Sequence, residues 1–443
     1  MDEQAWFHER QTAIHLLRSG LQPCEVAQQM GRSLSWVYKW KGYFEKTNRW
    51  DSLQSHSRAP ICRPQQFPEP ARQAIRQARS ELEAEAAQPG HLHYIGAPAV
   101  RARLREKEFS PLPSTATIER VLATAGMTHP QQPVEPKTTY PHVRPGQPHQ
   151  LCQVDIVPRY LLGGQSVACF NAIDVVSRYP AGQSSSTKRS TDAVDFLVYL
   201  WATVGVAKYT QVDNEACFSG GWTHPGVLGK VLRVALFVGT ELVFSPFYHP
   251  ESNGTVERFH QDYVAHVWAN TQLTDLDDVQ QQGQGFFQLY RQSRHHSALQ
   301  GYSPAEKHAA LPVRKLPADF RLPSGKLPLT VGRVHFMRKV STAHTIKVLN
   351  LNWAVSLAQP SQGVWATLEF TVHGATLHVY DTAPDAPQRT CLVSHPFPLK
   401  ESVQPLRPEF QERPVRKSLL SSVASVVRYT ISNRAIAWLS TMW

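Results

Sequence analysis

The chain lacks the features that would place it in an oxidising or membrane setting. Its six cysteines, Cys24, Cys62, Cys152, Cys169, Cys217 and Cys391, are scattered through 443 residues, and no two form a CxxC pair. That spacing argues against a disulfide framework and a thiolate zinc site, and makes a cytoplasmic location the default expectation. Twenty histidines do not alter this, because none lies in a Cys/His array with zinc-finger spacing. No run of about 18 apolar residues occurs, so no membrane span is expected. The opening MDEQAWFHER is charged where a secretion signal would be apolar. Neither an internal repeat nor a nucleotide-binding loop stands out, so no nucleotide cofactor is expected.

What the chain does have is positive charge, +11 in all, unevenly spread. Residues 1–130 hold 17 Lys and Arg against 13 Asp and Glu, 131–310 hold 13 against 15, and 311–443 hold 16 against 7. Basic flanks attract polyanions by counterion release, and an acidic middle suits divalent cations. A solubility charge with no partner would give the same totals.

Residues 1–62 read as a helix-turn-helix domain. QAWFHERQTAIHLLRSG stops at Gly20, PCEVAQQMG opens on Pro23 and stops at Gly31, and Ser33 can cap SLSWVYKWKGYF. Val37 and Trp40 can face inward, which turns Leu34, Ser35, Trp36 and Lys39 outward. Ser35, Trp36, Lys39 and Lys41 are the expected DNA contacts. Residues 63–128 form a second helical domain, with Ser114 capping its last helix. Its Arg101, Arg103, Arg105 and Lys107 fan around a helix, so Arg101 and Arg103 suit phosphate contact better than groove reading.

A Pro-rich linker spans 129–148. From 149 to 308 the elements run β-β-β-α-β-α-β-α, the order of a mixed sheet flanked by helices. A second Pro-bearing linker, 309–325, leads to four alternating segments in 326–406 that predict a small β-barrel or sandwich. A basic tail, 407–443, closes the chain. The fold class expected is multidomain α+β.

Three acids in the middle domain occupy comparable places. Asp155 lies within the strand QVDIV, Asp213 ends the strand KYTQVD, and Glu257 sits in the first turns of the helix after Asn253-Gly254. If the first and fourth strands are neighbours, Asp155 and Asp213 lie side by side and the helix brings Glu257 to the same edge. Carboxylates so held repel one another unless cations are present. Magnesium takes hard oxygen ligands and keeps positions for water and phosphate, and two such ions can activate a nucleophile and stabilise a leaving oxygen on phosphorus. Taken singly, the acids read as an edge-strand polar residue, a turn residue and a dipole-complementing helix acid. Asp174 is a rival acid, although Asp-x-x-Ser-Arg suits a strand-end turn. Arg258 suits a phosphate contact or an ion pair. His249 and His296 could orient DNA or water, or simply pack. Trp222 could stack on a base or pack.

The stretches QVDIV, QVDNEACF, SPFYHPESNGTVERFHQ and RQSRHHSALQGYSPAE resemble a DDE transposase of bacterial insertion sequences, the branch related to retroviral integrases. The resemblance implies a ribonuclease-H-like core with a mixed five-stranded sheet and helix-turn-helix domains on the element's terminal repeats. Asp155, Asp213 and Glu257 become the catalytic acids and metal ligands for two Mg2+ or Mn2+ ions, with Asn214 and Asn253 in support. It further implies double-stranded DNA, both element ends and target, as partner, with self-association into a dimer or tetramer. Cleavage at element ends and transfer of the 3′-hydroxyl into target DNA is the expected activity. A catalytically idle DNA-binding regulator and a ribonuclease-H-like nuclease are the alternatives. Glu215 stands where the family commonly has Gly, and the 44 positions between Asp213 and Glu257 exceed its usual spacing.

Overall fold

The structure is a computed structural model that describes residues 3–55, 67–88, 94–128, 142–220, 224–246, 250–269 and 272–411. His249 and Trp222, most of the first Pro-rich linker and the tail from 412 lie outside the described residues. The chain divides into two compact units, Met1–Glu69 and Pro70–Trp443.

The first unit holds α1 (Glu3–Arg18), α2 (Pro23–Met30) and α3 (Leu34–Thr47). Its punctuation follows the expected chemistry. Pro23 opens α2 where a backbone N–H has no helical partner, Gly31 closes it at φ 60°, and Ser33 Oγ accepts from Trp36 N at 3.2 Å. Ala13, Val26 and Val37 pack in one cluster, and Ile14, Trp40, Phe44 and Leu53 in another. Buried Arg10 donates to Leu53 O at 2.8 Å and lies over the Trp40 ring.

Trp36 departs from the outward position expected for it. It is half-buried and packs against both clusters. Residues four apart share a helix face, so Trp36 sits on the flank of Trp40 and its large ring folds down. The exposed stripe is instead Ser35, Tyr38 and Lys39, with Tyr38 53% exposed.

The second unit begins with α4 (Glu69–Ala86), α5 (Ala97–Glu106) and α6 (Thr115–Thr124), packed through Ile75, Val100, Leu104, Ile118 and Leu122. Ser114 Oγ caps α6 by accepting from Thr117 N.

The central region follows in the expected order: β1 (Leu151–Tyr160), β2 (Ser166–Asp174), β3 (Pro180–Ser185), α7 (Ser190–Thr203), β4 (Tyr209–Val212), a short α8 (Ala216–Ser219), α9 (Lys230–Val238), β5 (Glu241–Phe244) and α10 (Gly254–Tyr263). Helix α10 runs on through a π-helical turn at Val264–Trp268. Helices α11 (Leu276–Ser293) and α12 (Pro304–Ala309) complete it. β1, β2 and β3 pair antiparallel, while β4 and β5 join β1 in parallel.

The C-terminal strands differ from the separate barrel that was expected. They are β6 (Leu329–Thr330), β7 (Gly332–Lys339), β8 (Thr345–Val348), β9 (Leu351–Ala354), β10 (Gly363–Thr371), β11 (Gly374–Tyr380), β12 (Cys391–Phe397) and β13 (Val403–Gln404). β7 pairs in parallel with β5, so β7, β10, β11 and β12 extend the five central strands into one nine-stranded sheet, ordered β12-β11-β10-β7-β5-β4-β1-β2-β3. The reason lies in β7 itself. Val334, His335, Phe336 and Met337 are all buried, and a strand buried on both faces belongs inside a sheet. The Phe336 and Phe244 rings stack at 4.9 Å across the junction.

One large core runs along a face of this sheet, from Val154 and Phe170 through Trp201 and Leu236 to Leu368. On the other face α10 and α11 pack Phe259, Tyr263, Phe286 and Phe287 against Val157, Cys169 and Ile173. Helix α11 also covers the edge strand β3. Gln280 accepts from Ser184 N, Gln284 donates to Gly182 O and Arg291 donates to Pro180 O, so the ladder groups an edge leaves open are satisfied.

Candidate active site

Two adjacent strands carry the same tripeptide, Gln153-Val154-Asp155 on β1 and Gln211-Val212-Asp213 at the end of β4. Their parallel register aligns Leu151 with Tyr209, Cys152 with Thr210 and Gln153 with Gln211. Because side chains two apart share a sheet face, Asp155 and Asp213 continue the ladder that the glutamines begin. Glu257 comes to this face from the first turn of α10, which packs on β1 and β2.

The Asp155 carboxylate senses the other two acids. Burial is the largest cause pushing the Asp155 carboxyl up to about 7; the Ile156 N–H opposes it, and the charges of Asp213, Glu257 and Glu215 add to the rise. Burial likewise lifts Asp213 to about 6, opposed by the Glu215 N–H and assisted by the Glu215 charge. One oxygen of each aspartate accepts a backbone hydrogen bond, Asp155 from Ile156 N at 2.9 Å and Asp213 from Glu215 N at 3.0 Å. Among the described residues no three His, Cys, Asp or Glu side chains already stand close enough to hold a metal ion. The donor chemistry nonetheless fits a hard cation: every group is a carboxylate oxygen, and their mutual repulsion is what a cation relieves.

The neighbours were less legible. His260 Nδ1 stands 3.6 Å from Asp155 Oδ2. Burial and Arg159 hold that imidazole down at about 4, so it is neutral at pH 7 and the contact is no ion pair there. Asn171 lies directly across from Asp155 on β2, 1% exposed, with neither amide atom hydrogen-bonded among the described residues. Glu215 is paired with Lys188 at 3.2 Å, which sets a cation and a fourth acid at the rim. Glu215 was visible beside Asp213 in the sequence, but nothing in the spacing marked Asn171 or Lys188, because each acquires its place only through the fold.

The supporting residues are held as follows. Asn214 donates to Ser245 O and accepts from Arg338 Nη2 at 3.1 Å. Arg338 comes from β7, is 7% exposed, and is lowered to about 9 by burial. Asn253 is buried, and its Oδ1 accepts from Gln211 and Ser245. His296 Nε2 and the Tyr290 hydroxyl share a hydrogen bond of 2.7 Å beside the α11 aromatic cluster, and burial lowers the imidazole to about 3. Arg258 is exposed and donates to Gln261. Asp174 is spent on its own turn, with Oδ1 accepting from Val176 N, Ser177 N and Ser177 Oγ and Oδ2 from His149 N. That removes it as a rival.

On α5 the arginines are engaged inside the protein. Arg103 grips Glu85 with two hydrogen bonds of 2.8 and 2.6 Å, and Arg101 donates to Pro113 O and Gln300 O. In the first unit, Ser35 and Lys39 are exposed, whereas Lys41 pairs with Glu45 at 3.7 Å.

Comparison with known families matches residues 238–304 to an integrase core domain and residues 9–49 to a homeodomain-like domain. The first match contains Glu257 but neither aspartate. Among solved structures, the chain is similar to a simian T-cell lymphotropic virus intasome bound to a PP2A regulatory subunit, at 14% identity over 70% of this chain and 99% of that one, with a TM-score of 0.34. It is also similar to the HTLV-2 integrase catalytic core with magnesium (13% identity, 37% and 99% coverage, TM-score 0.29). The BIV integrase catalytic core is a third (16% identity, 36% and 94% coverage, TM-score 0.28).

Proposed function

From a chain that carries an integrase core domain and a homeodomain-like domain, we propose a divalent-metal-dependent DNA transposase that cuts at the ends of a mobile element and joins the freed 3′-hydroxyl to target DNA. The observation that carries this reading is that Asp155 and Asp213 follow register partners on adjacent parallel strands, with Glu257 on the helix packed against them, and that burial first and the charges of Asp213 and Glu257 after it make Asp155 a weaker acid. A buried carboxylate whose charge is opposed by two neighbouring acids is one that a bound cation would relieve. Asp155, Asp213 and Glu257 would hold Mg2+ or Mn2+, two ions in the full site. Bound there, the metal would supply activation of water or a 3′-hydroxyl and charge stabilisation on phosphorus.

The chain's own groups do the rest. Asp155 and Asp213 are partly buried, and neutral His260 lines the Asp155 carboxylate without competing as a cation. Lys188 at the rim and exposed Arg258 offer positive charge to the DNA backbone. In the first unit Ser35, Tyr38 and Lys39 form the surface that would enter a groove. Two DNA ends must be handled together, so assembly into a dimer or tetramer on DNA belongs to the reading. No described helix is long and apolar enough to cross a membrane.

The test mixes purified protein with labelled element ends and plasmid in Mg2+. Joined products that vanish with Asp155→Asn, Asp213→Asn or Glu257→Gln, each alone, support the proposal. Nicks without joining would point to a nuclease, and DNA binding with neither to an idle regulator.

A further inference from the structure

Helix α10 lacks an ordinary N-cap. Asn253 stands at the cap position, yet its side chain makes no capping bond; it turns instead to Gln211 and Ser245. The missing acceptor is supplied from another element. Gln153 Oε1, on β1, accepts from Val256 N at 3.2 Å, one of the backbone donors that a helix start leaves unpaired. The same side chain donates through Nε2 to Ser252 O at 2.9 Å. From β4, Gln211 Nε2 donates to Ser252 O at 2.9 Å, to Ser245 Oγ at 3.0 Å and to Asn253 Oδ1 at 2.6 Å. Gln153 and Gln211 are register partners, and each is 5% exposed.

Each glutamine lies two residues before an acid, and Val256 lies one before Glu257. We infer that Gln153 and Gln211 are a paired positioning clamp, which locks the start of α10 to the strands bearing Asp155 and Asp213 and so sets where Glu257 meets the two aspartates. This rests on the proposed metal-dependent reaction. The buried amides have no other evident use, because a turn tied down only for stability could be packed with apolar side chains, at less desolvation cost than two buried amides that must each find partners. Groups behind a metal's ligands commonly alter affinity about 10–100-fold when removed, and the clamp falls in that class.

The two glutamines make different demands. Gln211 is seen only as a donor, so Gln211→Glu sets an anion against Ser252 O and Asn253 Oδ1 and acts like Gln211→Leu. Gln153 both donates and accepts, so Gln153→Glu keeps the bond from Val256 N and lies between the wild type and Gln153→Leu.

The experiment titrates Mn2+ into the full chain, following free ion by electron paramagnetic resonance, with thermal melting to establish folding. Asp155→Asn is the control. The clamp predicts about 10-fold weaker Mn2+ binding in Gln211→Leu, Gln211→Glu and Gln153→Leu, with Gln153→Glu intermediate. DNA binding through the first unit should stay unchanged. If a leucine variant fails to fold, the near-isosteric glutamate variants carry the same ranking. Wild-type Mn2+ affinity in folded glutamine variants, with binding lost in Asp155→Asn, overturns the clamp alone. Binding indifferent to Asp155→Asn overturns the metal reading and the clamp with it.

Discussion

Asp155→Asn should make the metal-free protein more stable at neutral and alkaline pH while abolishing its chemistry. The sign follows from proton linkage. An unfolded aspartate ionises near its ordinary value of about 3.9, whereas folded Asp155 is pushed up to about 7. Between those values the folded state holds a proton that the unfolded state has released. Stability is therefore full below about pH 4 and declines as pH rises through 7. A difference of about three units, at ~1.4 kcal/mol each, puts the loss on the order of 4 kcal/mol for this group, whose side chain is 23% exposed. For a folding unit of this size a kcal/mol moves the midpoint by about 1–2 °C; about two of those three units are lost above pH 5, roughly 3 kcal/mol, so melting should fall by roughly 3–6 °C between pH 5 and pH 8. Asparagine cannot ionise, and its variant should lose most of that slope. Mg2+ should restore the wild type at pH 8 and leave the variant unmoved. The measurement is thermal denaturation with and without Mg2+ across that range. An unchanged slope in Asp155→Asn would refute the argument that this carboxylate is held against its own charge.

Other perturbations have equally definite outcomes. Arg338→Leu removes the Asn214 contact and leaves Lys347 O and Met337 O without its donors; a loss of about 1–3 kcal/mol in unfolding free energy should come with slower strand joining. Gly182→Ala drives a methyl into the Phe287 ring and the Asn171 amide, and should cost about 1–3 kcal/mol by overpacking, read as a lower melting temperature. Lys39→Ala should weaken DNA binding and lower the slope of log affinity against log salt by about one. Arg103→Ala should leave that slope unchanged, because Arg103 is committed to Glu85, and should cost about 1 kcal/mol of stability.

Sequence alone determined the elements and the candidate acids. Helix limits at Gly20, Gly31 and Ser114, and the β-β-β-α-β-α-β-α order, were legible because caps, breakers and apolar periodicity act over a few residues. So was the chance that Asp155 and Asp213 are neighbours, since it needs only adjacent parallel strands. The tertiary structure alone decided what pairs with what. Alternation marked β7 as a strand but could not name β5 as its partner, because a ladder forms between backbones and either edge offers the same bonds. For the same reason the clamp went unread. The repeated Gln-Val-Asp was in plain view, but its glutamines gain meaning only when register sets them side by side under a helix whose own cap residue points elsewhere. Arg103 and Trp36, expected to meet DNA, have partners inside the chain that the sequence did not announce, an acid on α4 and a second apolar cluster. Local chemistry thus picks the strands, helices and turns, while long-range packing decides which polar groups remain for a partner.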